Sequence, residues 1–162
     1  MSGFWDTYLG RLRRDVGSRL ILMPSARIVI EDAQARILLQ ERSDARVWNL
    51  PGGHAEEGED ITSTMVRETL EETGLVIQAP TAFGLSCDPA IETIRYPNGH
   101  LVHSFAMLFH ATAFEGEAVV ADDESLAVGW FPLAALPDLP LNMRRTIDAY
   151  IRFKASGVFQ MI

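Results

Sequence analysis

The sequence predicts an α/β (α+β) chain, an α/β/α sandwich with helices on either side of a central mixed sheet. Three observations predict it. Segments of β-type pattern recur between residues 20 and 131. A helical period takes over in mid-chain at 60–73 and again near the end at 142–155. The length, 162 residues, suits a single domain spanning 1–162 with one sizeable core.

Phe4, Trp5, Tyr8, Leu9, Leu12 and Val16 recur at helical spacing, so an amphipathic helix is expected over 2–15, stopped by Gly17. It is expected to pack on its own domain, with a contact or swapped arm in a homodimer as the alternative. Residues 20–31 read as a strand in which Pro24-Ser25 makes a bulge or edge break, and 36–42 as its hairpin partner across Asp32-Ala33-Gln34-Ala35. Val47-Trp48-Asn49-Leu50 is a short strand terminated by Pro51-Gly52-Gly53. The central helix begins on Glu59 or Asp60 and offers Met65, Val66 and Leu70 to the core. Strands are then expected at 75–78, 82–87, 91–96 and 101–114, with Pro97-Asn98-Gly99 as the turn between the last two. A turn at 115–117 and the acidic loop Asp122-Asp123-Glu124 lead to a strand at 127–131 and one helical turn at 133–136. The closing helix aligns Met143, Ile147, Tyr150, Ile151 and Lys154 in one buried stripe, and the Val158-Phe159 tail carries no signal.

A net charge of −8, with basic residues grouped only at Arg11, Arg13, Arg14 and at Arg144-Arg145, argues against a nucleic-acid or membrane-surface protein held by phosphate neutralisation; neither is an expected partner. No apolar run approaches the ~20 residues of a membrane span, and aromatics precede the arginines at the N-terminus, the wrong order for a secretory signal. Cys87 has no second cysteine for a disulfide or thiolate site; it is read as a small buried residue, and cytoplasm is the expected compartment.

The central helix breaks its own local rules. Glu68, Glu71 and Glu72 crowd its last turn, where the macrodipole disfavours anions by about 0.3–1 kcal/mol each. Their i,i+3 and i,i+4 spacings place all three within roughly 100° of one another. A bound cation would relieve the clash. Clustered carboxylates with no His or Cys ligand make a hard oxygen site suited to Mg²⁺, with Mn²⁺ acceptable, and a diphosphate completes such a shell well.

Gly53, five residues, Glu59, seven residues, Arg67-Glu68, then Glu71-Glu72, one residue and Gly74-Leu75 resembles the signature of the Nudix hydrolases, G-x5-E-x7-R-E-U-x-E-E-x-G-U with U aliphatic. All seven fixed residues are present, a match expected by chance on the order of 10⁻⁸ per starting position. Thr69 departs from the first U, a small expected loss of core contact.

The resemblance implies divalent-metal-dependent hydrolysis of a pyrophosphate linkage in a nucleoside diphosphate derivative, a small-molecule nucleotide substrate. It makes Glu68, Glu71 and Glu72 the principal metal ligands, with the Gly52 carbonyl and a weaker Glu59 beside them. Arg67 is then a residue that forks onto a carboxylate and fixes its rotamer. Gly52-Gly53 supplies the turn that brings loop to helix. The general base stays open between Glu68 in the signature and Glu124 in the later acidic loop. Arg42 and His54 are candidates for phosphate contact and Trp48 for base stacking, each against a plainer surface or core reading.

Subgroup marks are sparse. The SQPWPFPxS stretch of NADH-cleaving members is absent; Pro89, fifteen residues after Gly74, matches a mark of ADP-ribose members. The expectation therefore leans to ADP-ribose or a nucleotide sugar over a nucleoside triphosphate. A non-catalytic Nudix-fold sensor and a calcium-binding module are the alternatives of another class.

Overall fold

The computed structural model describes residues 4–162. Ser2, the expected start of the first helix, lies outside them. The elements in chain order are α1 (Tyr8–Val16), β1 (Leu20–Ile30), β2 (Arg36–Arg42), β3 (Trp48–Asn49), β4 (Gly52–His54), α2 (Ile61–Thr73), β5 (Val76–Gln78) and β6 (Thr81–Ser86). They continue with α3 (Pro89–Glu92), β7 (Thr93–Arg95), β8 (Leu101–Ala111), β9 (Ala113–Glu115), β10 (Ser125–Pro132), α4 (Leu141–Ser156) and β11 (Gln160–Met161).

The main sheet runs β11-β6-β8-β1-β4, with β7 also on β8; β10-β2-β3 and β5-β9 form smaller sheets. β1 and β8 pair in parallel along their length, from Leu20↔Leu101 to Ile30↔Ala111, while β4 and β6 add antiparallel neighbours, so the sheet is mixed. Side chains alternate across the pleat. Ala26, Ile28 and Ile30 therefore pack with Met65 of α2, and Val29 with Met143 and Ile147 of α4. The two helices cover opposite faces, which is the predicted sandwich.

Several local expectations need correction. β2 is not the hairpin partner of β1: a lone bridge Glu31↔Ile37 joins them, and the ladder of β2 goes to β10 and β3, because β8 and β4 occupy the edges of β1. Pro24 does not break the strand. It sits just past the reach of β4, where only its carbonyl is used, by the Ala55 amide at 3.1 Å. Gly52-Gly53 continues the chain as β4 instead of only terminating β3. Residues 89–92 are helical because Asp88 caps the turn through the Ala90 amide and Pro89 starts it. The expected strand at 101–114 divides, and β9 turns to β5. The tail pairs with β6.

α1 packs Tyr8, Leu9, Leu12 and Val16 on Ile21, Met23 and Val102 of its own domain. It also grips the loop before α2: the Tyr8 amide donates to Glu56 Oε2 at 2.7 Å, and Arg11 pairs with Glu57 at 2.7 Å. Ile151, placed by periodicity in the buried stripe of α4, is exposed, whereas Met143, Ile147 and Tyr150 are buried as expected.

Candidate active site

α2 is capped as its sequence asks. Asp60 accepts from the Ser63 amide at 2.9 Å, and Gly74 closes the helix in the left-handed region at φ 73°. Its buried residues are Thr64, Met65, Thr69, Glu72 and Thr73. Leu70 is 45 % exposed, contrary to expectation, since one residue's rotation of about 100° carries it off the face that Thr69 buries. Thr69 is fully buried and donates its hydroxyl to the Met65 carbonyl at 2.8 Å, so its methyl packs and its polar atom is satisfied.

Arg67 gathers the acids. Its Nε meets Glu59 Oε1 at 2.5 Å, and one terminal nitrogen reaches Glu68 at 2.9 Å and Glu71 at 3.1 Å. The other donates to Glu59 Oε2 at 3.0 Å and to the His54 carbonyl at 3.1 Å. The guanidinium holds Glu59 down at about 2. Thr64 adds a hydroxyl to Glu59 at 2.9 Å.

One arginine cannot neutralise the rest. Burial pushes Glu68 up to about 7 against the pull of Arg67, with Glu71 and Glu124 pushing the same way. Burial likewise pushes Glu72 up to about 8; the neighbouring Gln40 side chain opposes it, Glu68 adds to it, and the Gly52 amide at 2.8 Å opposes it again. Backbone and helix meet closely here. A Cβ on Gly53 would fall inside the Glu68 carboxyl group, and one on Gly52 would strike the Ala26 carbonyl.

Of the other expected residues, Arg42 chelates Asp44 at 3.0 and 2.9 Å and lies within electrostatic reach of Glu72. His54 is half-buried, not a solvated residue. Its Nε2 lies 3.3 Å from Ser104 Oγ, and burial, with Arg42 nearby, pushes it down to about 4. Trp48 stands edge-on to Phe131 at 4.8 Å against the α4-side core, which is the packing reading rather than a free stacking platform. Glu124 is exposed and near enough to act electrostatically on Glu68. Cys87 is half-buried, less enclosed than expected.

Among the described residues, no three His, Cys, Asp or Glu side chains form a ready metal-holding group. The donor set nonetheless fits a hard divalent cation: it is all oxygen, and the buried Glu72 and half-buried Glu68 are held short of compensating positive charge. Glu68, Glu71, Glu72 and the Gly52 carbonyl are the residues that would hold it.

Sequence reading missed Gln40, Ser125, Ser104, Glu56 and Tyr96. Gln40 left a signal: it follows Ile37-Leu38-Leu39 in a strand, and a polar side chain in an apolar run must find a partner. Tyr96, a half-buried neighbour of Arg42 and Glu124, left none.

The model of the NUDIX domain family matches residues 21–151. The chain belongs to the Nudix family. The ADP-ribose pyrophosphatase of Methanocaldococcus jannaschii is 31 % identical over 84 % of this chain and 78 % of its own length. A Bacillus subtilis protein named as a putative 8-oxo-dGTP diphosphatase is 30 % identical over 83 % of this chain and 89 % of its own. The crystal structure of a Burkholderia pseudomallei MutT Nudix hydrolase superposes with a TM-score of 0.64, at 29 % identity, covering 80 % of this chain and 98 % of that one. This Nudix protein is accordingly a pyrophosphohydrolase of nucleotide derivatives.

Proposed function

We propose that this Nudix hydrolase uses a divalent cation, Mg²⁺ first and Mn²⁺ second, to hydrolyse the pyrophosphate of ADP-ribose or a related nucleotide sugar. The observation that carries the chemistry is the gathering of Glu68, Glu71 and Glu72 beside Gly52-Gly53, with more carboxylate charge than Arg67 neutralises. The lean in substrate rests on the likeness to the archaeal ADP-ribose pyrophosphatase. The similar likeness to the Bacillus protein supports a nucleoside triphosphate as the second reading.

Glu68, Glu71 and Glu72, with the Gly52 carbonyl, hold the cation, and Glu59 supports them from its place on Arg67. When bound, the cation neutralises phosphoryl oxygens and makes an attacking water more acidic. Glu68, seated against Gly53, accepts the proton of that water as it attacks phosphorus in line and the bridging P–O bond breaks; Glu124 is the alternative acceptor. Arg67 touches no reacting atom in this scheme and fixes the rotamers of Glu59, Glu68 and Glu71. Arg42, close to Glu72, is the cation placed to meet a substrate phosphate. His54 backs the loop through Ser104.

A panel of ADP-ribose, nucleotide sugars and nucleoside triphosphates, assayed with Mg²⁺ and with Mn²⁺, tests the reading. ADP-ribose is expected to yield AMP and ribose 5-phosphate at the highest kcat/KM. Preference for a triphosphate would select the second reading, and turnover of none would favour a sensor. In the same assay Glu68→Gln is expected to lose far more kcat than Glu124→Gln; comparable losses would move the base to the loop.

A further inference from the structure

We infer that α1 is a strap on the acidic site: Glu56, held at the N-terminus of that helix, is a positioning residue that keeps Glu59 and the Arg67 network in place. This rests on the divalent-cation reading of the site given above.

α1 precedes the span matched by the family model, residues 21–151. Its own residues leave its start short of partners: Thr7 caps the Gly10 amide at 3.0 Å, and the first turn carries no acid. Glu56, 48 residues further along the chain, supplies one. Its Oε2 accepts from the Tyr8 amide at 2.7 Å, where the helix dipole favours a carboxylate. The helix has a fixed footing from which to hold it. Tyr8, Leu9, Leu12 and Val16 pack on Ile21, Met23 and Val102. At the far end the buried Arg13 donates to the carbonyls of Gly17, Arg19 and Leu101 at 3.0, 2.6 and 2.5 Å, which ties α1 to the start of β1 and of β8.

What Glu56 holds in turn is the loop that carries Glu59. Its amide donates to Glu59 Oε2 at 3.0 Å, and its carbonyl accepts from the Glu59 amide at 3.1 Å. Glu59 is the acid that Arg67 grips through two nitrogens, and the same guanidinium bonds Glu68 and Glu71. One chain of hydrogen bonds therefore runs from Tyr8 through Glu56, Glu59 and Arg67 to two of the expected metal ligands. The neighbouring Arg11–Glu57 pair is exposed on both sides and adds little, since water and salt screen it. The Tyr8–Glu56 bond is the link on which the strap depends.

That bond can be cut from either side. Tyr8 is the first residue of α1, where proline is tolerated, and Thr7 before it is already extended at φ −70° and ψ 159°. Tyr8→Pro thus deletes one amide, and Tyr8→Ala, which keeps it, controls for the lost ring. Glu56→Ala removes the acceptor, whereas Glu56→Gln keeps an oxygen for the amide. The test is a Mn²⁺ titration without nucleotide, followed by electron paramagnetic resonance, on these variants, the Tyr8→Pro/Glu56→Ala double variant and wild type. Thermal unfolding, and kcat and KM on the best nucleotide of the panel at saturating metal, are measured alongside. Glu56→Ala is expected to bind Mn²⁺ about fivefold more weakly than wild type, and Tyr8→Pro about fivefold more weakly than Tyr8→Ala, below the ~10–100-fold effect of a direct partner to a metal ligand. Each loss is accompanied by a similar fall in kcat with KM nearly unchanged. Glu56→Gln is expected to restore most of both, and the double variant to match Glu56→Ala, because both changes cut one bond. A lower melting temperature in Glu56→Ala with wild-type Mn²⁺ affinity and kcat would make Glu56 a cap for α1 alone and overturns the inference. So does Tyr8→Pro matching Tyr8→Ala, or Glu56→Gln faring no better than Glu56→Ala. Should Tyr8→Pro not fold, Glu56→Ala against Glu56→Gln decides alone. A wild type that binds Mn²⁺ but turns over no nucleotide removes the hydrolase reading while the titration still decides the role of Glu56. A wild type that binds no Mn²⁺ overturns both.

Discussion

Two of the arginines that pair with carboxylates, Arg27 and Arg67, stand in different surroundings. Arg27, in β1 under α4, faces a single acid. It grips Glu92 at 3.1 and 2.9 Å and Thr146 at 2.8 Å, and Ser86 also bonds Glu92. The side chains of Arg27 and Glu92 are 7 % and 0 % exposed. Charges cancel and the polar atoms are taken up. Arg67 faces Glu59, Glu68 and Glu71, with Glu72 and Glu124 near, and its own side chain is 28 % exposed. A closed, neutral cluster reads as scaffold, whereas an open one with surplus negative charge reads as a place for a cation.

The comparison breaks most sharply at Arg27. Arg27→Met strands a buried Glu92 and is expected to cost about 3–5 kcal/mol of stability, with kcat per folded molecule unchanged; urea unfolding and active-site titration measure the two. A large loss of kcat in well-folded Arg27→Met protein would erase the distinction. At the other cluster the signs reverse. Glu72→Gln is expected to lower kcat roughly 10²- to 10³-fold, the scale of losing one charge-stabilising group, while metal-free stability holds or rises. Full activity would remove Glu72 from the metal set.

The smallest effect is on pH. Folding raises Glu72 from 4.5 to about 8 and Glu68 from 4.5 to about 7, so the folded state binds more protons than the unfolded one between those values. Stability from these groups is complete below about pH 4.5 and is lost as pH rises through 7 to 8. Melting of metal-free protein from pH 5.5 to 8.5 is expected to show that decline, and Glu72→Gln to flatten it. An identical slope in both proteins would place the effect elsewhere.

Much of α2 was legible because its rules are local. Asp60 and Gly74 cap it as their residue types require, and helical spacing alone put Glu68, Glu71 and Glu72 together. The same locality misled where burial depends on what lies opposite. Leu70 and Ile151 fit a periodic stripe, yet each stays 45 % exposed. Strand pairing failed in a related way. Asp32-Ala33-Gln34-Ala35 does turn the chain between β1 and β2, but β8, far along the chain, and β4 took the edges of β1, since two edges admit two partners.

Spacing along one helix was therefore enough to bring the acids together, because a helix converts sequence distance into direction, and the resemblance to the Nudix signature added the chemistry. Which groups answer those acids came from packing: Gly52 from β4 donates to Glu72, and Glu124 from the loop before β10 acts on the charge of Glu68, only once the sheets are assembled. Long-range contact depends on how strand edges and buried faces are shared among distant segments, and no local spacing encodes that division.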